Sequence, residues 1–314
     1  MQYRELVRSG MRVSRLCFGA LTICPLQANL PLVEGARIIR LALEAGVNFI
    51  DTAELYRNYD YIHEALSGYQ GEVIIASKCY AYTTQGMQAS LELALRKLHR
   101  DYIDIFMLHE QESILTIRGH WEALEYLLQA KQKGLVRAIG ISTHNVEGVL
   151  GAASIPEIEV IQPLINMTGI GIKGGSATDM LAAIKTAAEA GKGLYGMKAL
   201  GGGNLLEKSE DAFAFILSLP ELASVAVGMS TQEEVIYNTC LFSGLPVPEN
   251  VKAKVRRKPR RLIIEDCEGC GECLAQCTSG ALHFDAGKAV VDNSLCTLCG
   301  YCSGACPEFC IKVI

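Results

Sequence analysis

Short runs of Val, Ile, Leu and Phe alternate through most of the chain with longer stretches in which apolar positions recur every three or four residues. The short runs predict strands at Val13–Phe18, Val47–Ile50, Val73–Ala76, Ile103–Leu108, Val136–Ile141, Val160–Gln162, Gly193–Met197 and Ser224–Val227. Between them the helical spacing predicts Glu34–Ala45, Met87–Leu98, Trp121–Gln132, Thr178–Ala190 and Thr231–Phe242. Several close on a glycine, as in LEAGVN, KQKGLV and AEAGKG, a common helix stop before a strand. Strands alternating with helices in this way predict an α/β fold, a (β/α)8 barrel over residues 1–244. A doubly wound open sheet is the competitor that alternation alone leaves standing.

The pattern breaks at GLPVPENVKAKVRRKPRR. Prolines, many charges and no evident apolar period predict a basic linker over residues 245–261, with a second, small domain over 262–314. Residues 262–314 hold seven acids against two lysines, so the basic run is expected to complement that acidic domain and not a nucleic acid. The formal net charge of −5 agrees, being too mild to call for nucleic acid or an anionic membrane. No apolar run is long enough to span a bilayer, and the first residues contain no signal-peptide core. A cytoplasmic protein is expected.

Cysteine usage changes this picture. There are 13 cysteines, and nine follow residue 266, a bias that a reducing compartment assigns to metal ligation before disulfides. Cys267, Cys270, Cys273 and Cys277 read C-x2-C-x2-C-x3-C; Cys296, Cys299, Cys302 and Cys306 repeat that spacing 29 residues later. The segment is therefore an internal duplication. Three thiolates spaced three apart wrap one 4Fe–4S cubane while the fourth reaches the other. Cys267, Cys270, Cys273 and Cys306 are then expected on one cluster, and Cys296, Cys299, Cys302 and Cys277 on the second. The alternative is zinc, which gains nothing from a third cysteine at the same spacing. The segment resembles the bacterial two-cluster ferredoxin, a small α+β fold, although Thr278 stands where Pro307 stands in the second repeat. Cys310 aligns with Ala281 and is expected in the core, as are Cys17, Cys24, Cys79 and Cys240.

Three predicted strands end in an ionisable residue: VNFI runs into Asp51, VIIAS into Lys78 and IDIFML into His109, with Tyr56 in the loop after Asp51. In a (β/α)8 barrel such positions meet at the C-terminal mouth. Each residue has an ordinary explanation alone, as a cap, a surface charge, a core histidine or a packed ring; four together do not. NFIDTAELY, ASK and DIFMLH resemble the catalytic signatures of the aldo-keto reductases, and the likeness spans about residues 3–243, beginning with a family-like hairpin in YRELVRSGMRVSRLCFG. The resemblance implies the barrel fold, reduction of a carbonyl by NAD(P)H, and a catalytic set of Asp51, Tyr56, Lys78 and His109. In that chemistry a phenol, ordinarily of pKa near 10, needs its anion stabilised before it donates a proton at neutral pH. Lys78 is expected to do this, Asp51 to orient Lys78, and His109 to hydrogen-bond the carbonyl. Tyr59 is a rival phenol that the spacing disfavours.

The resemblance also implies nucleotide contacts. Ser142 and Gln162 fall where the family meets the nicotinamide carboxamide, and Met197 replaces a tyrosine that often stacks on the ring. Asn166 aligns with a family asparagine but suits a loop role equally. Lys198 with Gly201–Gly203 is expected near the pyrophosphate. Gly228, Ser230, Glu234 and Asn238 are expected at the adenosine end, where the acids tilt weakly towards NADH over NADPH. The remaining histidines lack ligand spacing, and only His144 lies near the expected mouth.

Hydride and single-electron carriers do not couple directly, and no flavin signature is present. The expected activity is NAD(P)H-dependent carbonyl reduction, or alcohol oxidation, with an appended electron-transfer or sensing module. The alternatives are ferredoxin-type electron transfer to a substrate or flavin in the barrel without nicotinamide, and a non-catalytic redox sensor. Expected partners are a small carbonyl or alcohol and a redox protein.

Overall fold

A computed structural model describes residues 1–7 and 10–314. An antiparallel hairpin of β1 (Tyr3–Val7) and β2 (Met11–Ser14) precedes the main body. Among the described residues, eight parallel strands then close into a barrel. They are β3 (Leu16–Gly19), β4 (Phe49–Asp51), β5 (Ile74–Cys79), β6 (Ile103–Leu108), β7 (Val136–Thr143), β8 (Val160–Pro163), β9 (Gly193–Met197) and β10 (Ser224–Gly228), with β10 pairing β3 to complete the ring. The open-sheet alternative is thereby excluded.

The period of two along each strand sorts the side chains. Cys17, Phe49, Ile74, Ala76, Ile105, Met107, Ala138, Val160 and Tyr195 fill the inside, and the hairpin residues Leu6, Met11 and Val13 pack below them as a plug. Ile50, Ile75, Phe106 and Ile139 point outward into the helix layer. The predicted strand Val13–Phe18 is in fact two, divided at Arg15. Its buried guanidinium donates to the carbonyls of Leu222 (2.7 Å) and Leu217 (3.0 Å), so the chain turns there from hairpin to barrel.

The expected irregular linker contains a helix, Glu249–Arg257. Val251 and Val255, four residues apart, pack on the barrel core and give the segment the apolar stripe that its many charges obscure. Three lysines of this segment meet the barrel and not the acidic module. Lys252 pairs with Glu210 (3.4 Å), Lys254 with Glu233 (2.9 Å) and Lys258 with Glu234 (2.7 Å), all acids of the barrel.

The C-terminal module joins β11 (Leu262–Ile264) to β14 (Ile311–Val313) and β12 (Leu282–Asp285) to β13 (Lys288–Val291), both antiparallel, with one short helix in each repeat. The duplication is visible in the backbone. Left-handed residues recur at the 29-residue shift: Gly269 (φ 80°) with Leu298 (54°), Gly271 (82°) with Gly300 (81°), and Gly280 (67°) with Phe309 (53°). No helix among the described residues is long and apolar enough to cross a membrane.

Candidate active site and cysteine cavities

Continuing the inward alternation upward brings polar residues to the mouth. Asp51 follows Phe49 on β4, Lys78 follows Ala76 on β5, and Gln162 follows Val160 on β8; His109 lies just past Met107 and the end of β6. Lys78 Nζ donates to both Asp51 oxygens at 2.8 Å and to the Thr52 carbonyl at 2.8 Å, which uses all three of its hydrogens. Asp51 Oδ1 also accepts from Gln162 Nε2 (3.0 Å) and from the Tyr195 hydroxyl (2.9 Å). A buried ion pair is tolerable only when its remaining hydrogen-bonding capacity is met in this way.

Tyr195 is the residue the sequence reading missed. Attention to Met197 as the replacement for a family tyrosine hid a tyrosine two positions earlier on the same inward face, wedged 4.9 Å from the Phe49 ring. Strand alternation alone would have found it.

Tyr56 and His109 face the mouth above this network, with ring centres 6.0 Å apart, and Lys78 Nζ lies 5.4 Å from the Tyr56 ring centre. Burial, then the charges of Asp51 and Glu110, holds the phenol well above its ordinary value, while the hydrogen atoms of Lys78 are engaged elsewhere. Burial, then Lys78 and Lys198, keeps His109 neutral. Tyr80 stacks on His109 at 4.4 Å and donates to Glu110 (2.7 Å). Tyr59 is turned the other way, into the helix layer, where its hydroxyl meets Ser77 at 2.6 Å.

Above these residues lies a cavity of about 790 Å³. Its floor is Asp51, Tyr56, Lys78, His109 and Gln162; its roof is the C-terminal module, through Glu265, Phe309, Lys312 and Val313. The roof is held where β14 crosses the glycine run after β9. A side chain at Gly202 would meet Lys312 at 2.7 Å and Phe309 at 3.0 Å, and one at Gly203 would strike the Val313 carbonyl. Phe309 also lies over Gly171, and Lys173 pairs with Glu308. Of the glycines expected at a pyrophosphate, Gly202 and Gly203 are thus the socket of the chain's own module, while Gly201 faces Ile170 and Leu205.

The other expected nucleotide residues divide into two groups. At the barrel axis, Gln162 Oε1 is buried without a partner among the described residues, Ser142 Oγ accepts the Glu110 N–H (2.9 Å), and Met197 and Lys198 line the cavity. At the far end, Glu234 binds the Ser230 N–H (2.8 Å), and Lys258 reaches both Glu234 (2.7 Å) and Ser230 (2.8 Å). Gly228 lines the cavity against Thr22, whereas Asn238 is buried in the helix Gln232–Ser243 and is not part of the lining. Asn166 has the loop role, accepting from Thr168 and donating to the Ile170 carbonyl.

Cys267, Cys270, Cys273 and Cys306 line one small cavity of about 80 Å³ inside the module. Burial, then the neighbouring Cys306, Cys267 and Cys270, pushes the Cys273 thiol up to about 11. The second set is gathered likewise: Cys302 is raised by burial and then by Cys296, Cys299 and Cys277. Backbone N–H groups of Gly269 and Ala289 point at Cys267 Sγ (3.4 Å each), and that of Cys310 at Cys306 Sγ (3.2 Å). Four cysteines around one cavity, with backbone N–H groups aimed at their sulfurs, fit iron–sulfur ligation. Cys310 is buried as expected, its thiol on the Asp266 carbonyl.

Fold and mouth together define a barrel oxidoreductase whose site is roofed by a cysteine-rich module. Residues 15–215 match the model of the aldo/keto reductase family and residues 289–312 that of the 4Fe-4S binding domain. The chain belongs to the aldo/keto reductase family and carries a 4Fe-4S module. Among solved structures, the putative aldo-keto reductase PA4992 of Pseudomonas aeruginosa superposes with a TM-score of 0.66 at 24% identity, covering 77% of this chain and 94% of that one. AKR11C1 of Bacillus halodurans gives 0.67 at 21%, covering 82% and 96%; these likenesses concern the fold. A probable voltage-gated potassium channel subunit beta of Oryza sativa is 22% identical over 83% of this chain and 98% of its own length. The methylglyoxal reductase DkgA of Yersinia pestis is 32% identical, but over 41% of this chain and 43% of that protein.

Proposed function

We propose that this protein reduces the carbonyl group of a small molecule, or oxidises the corresponding alcohol, inside the chamber between barrel and module. The observation that carries this reading is the convergence of Tyr56 and His109 on one cavity, directly above the Asp51–Lys78 pair. Reduction delivers two electrons and a proton to the carbonyl carbon and a second proton to its oxygen. Tyr56, held protonated by burial, supplies the proton to oxygen; neutral His109 offers the same oxygen a hydrogen bond and fixes its approach. Lys78, locked on Asp51, opposes the phenolate charge through space. A small dicarbonyl such as methylglyoxal, named for one relative, is a suitable trial substrate.

We further propose two 4Fe–4S clusters, one held by Cys267, Cys270, Cys273 and Cys306 and the other by Cys296, Cys299, Cys302 and Cys277, in a cytoplasmic protein. Such clusters exchange single electrons. A nicotinamide fits the chamber at one end, where Gln162 Oε1 awaits a donor such as a carboxamide N–H. It does not fit along its length, because Lys258 and β14 already hold the residues expected to bind the phosphates and adenosine. That favours the second reading, electron transfer without nicotinamide. In its support, the chamber and the first cysteine cavity share Glu268, Glu308 and Cys310 as a common wall.

The test is an anaerobic titration of the iron-loaded protein with NADH and NADPH, following nucleotide fluorescence and cluster absorbance together, then methylglyoxal turnover. Turnover driven by a nucleotide supports the first reading; turnover that needs reduced clusters and ignores nucleotides supports the second. Tyr56→Phe should lower either by about 10²- to 10⁴-fold. An unchanged rate in that variant would overturn the proposed site.

A further inference from the structure

Most lysines lining the chamber are neutralised by a partner: Lys78 by Asp51, Lys173 by Glu308 and Lys258 by Glu234. Lys198 and Lys312 differ, forming no ion pair among the described residues. Their ammonium nitrogens lie 4.9 and 3.9 Å from the centre of one ring, that of Phe309, so both charges border the same ring; Lys312 Nζ also meets the Phe309 carbonyl. Lys312 is 9% exposed and comes from the module; Lys198 comes from the end of β9 in the barrel. Lys198 is also held at φ 59°, a left-handed conformation that is strained for a lysine and is kept where the surroundings impose it. Two acids face both: Glu110, which accepts from the Tyr80 hydroxyl, and Glu265, whose Oε1 is buried without a partner among the described residues; neither lies within ion-pair distance of the two lysines.

Two like charges gathered in a buried place repel one another and lose hydration. Burial, then Lys312, accordingly lowers Lys198 to about 7. An anion in the chamber within reach of both ammonium groups offsets both costs through charge-assisted hydrogen bonds.

We propose that Lys198 and Lys312 together form a seat for a compact oxyanion, a carboxylate or phosphate carried by the molecule that enters the chamber. The seat is complete only with the module docked, because each partner contributes one lysine. It deepens the reductase reading by selecting an anionic ligand. Two sources share this chemistry, the carboxylate of a 2-oxo acid and the phosphate of a small phosphorylated carbonyl compound.

The experiment is calorimetric titration of the full-length, iron-loaded protein with pyruvate, with inorganic pyrophosphate and with neutral methylglyoxal. Binding of pyruvate identifies a carboxylate seat, and binding of pyrophosphate a phosphate seat. In either case Lys198→Met and Lys312→Met should each weaken the anion about 10- to 100-fold more than they weaken methylglyoxal. Lys198→Arg should restore binding, and cluster absorbance reports that the module remains loaded. Neither anion binding, or binding indifferent to both Met variants, would overturn the seat. The two readings fail separately: methylglyoxal turnover without anion binding rejects the seat alone, and anion binding without any carbonyl turnover rejects the reductase alone.

Discussion

The carbonyl of Val313 occupies the space that a side chain at Gly203 would need, so a residue of the barrel and a residue of the module are shaped to each other at the backbone. Side-chain contacts can be repacked, whereas a carbonyl against a missing Cβ cannot. Gly203→Ala should therefore loosen the roof without unfolding the barrel. Hydrogen exchange at residues 309–313 should accelerate at least about tenfold, with the amides of β4 to β8 unchanged. Gly244→Ala is the control, because that glycine has a similarly left-handed backbone and nothing within 4 Å. Equal effects of the two substitutions would assign the loss to backbone strain and not to docking.

The three donor atoms on Asp51 differ in weight. Lys78→Met leaves a buried carboxylate without its counter-charge and should destabilise the protein by about 3–5 kcal/mol. Tyr195→Phe removes a single hydrogen bond to that carboxylate and should cost about 1.5–3 kcal/mol. Denaturant unfolding of the two variants checks the order; a larger loss for Tyr195→Phe would mean that the phenol, and not the lysine, carries the pair.

Acid should weaken the fold before the carboxylates titrate. Burial keeps His109 and His144 well below the ordinary 6.5, so between that value and their folded pKa the unfolded chain binds more protons than the folded one. Stability then falls as pH drops through 6.5, by up to about 1.4 kcal/mol per pH unit for each histidine. His144→Gln should flatten the slope by one histidine's share. A slope unchanged below pH 6.5 would show that His144 does not resist protonation.

The division of the cysteines is checked by iron content. Cys306→Ala should lose about half the iron and acid-labile sulfide, since it closes one set of four, while Cys310→Ala should keep both. Full loading in Cys306→Ala, or a loss in Cys310→Ala, would reassign the first set.

The barrel was legible because it is periodic. Alternation gave the strands, and the ends of three strands gave Asp51, Lys78 and His109 in register. Tyr195 obeys the same period and was lost only by looking for a tyrosine at 197. Arg15, which splits one predicted strand, was not legible, because its partners at Leu217 and Leu222 lie some 200 residues away in sequence. The roof was hidden for the same reason. A run of glycines says that a backbone comes close, and it does not say whether a ligand or another part of the chain does so. Nor does a charge run say which acids it meets, which is why Lys258 was misassigned to the module and not to Glu234.

The repeat of 29 residues places Gly280 and Phe309 at equivalent points, one exposed to solvent and the other 2% exposed against Gly171 and Gly202. The two halves of the module therefore answer to different constraints. Substitution at 280 concerns the module alone, while any change at 309 is felt in the barrel. Across related chains, the size of residue 309 should vary inversely with that of residues 171 and 202. A chain that lost the bulk at 309 while keeping both glycines would have an iron–sulfur appendage free of the barrel.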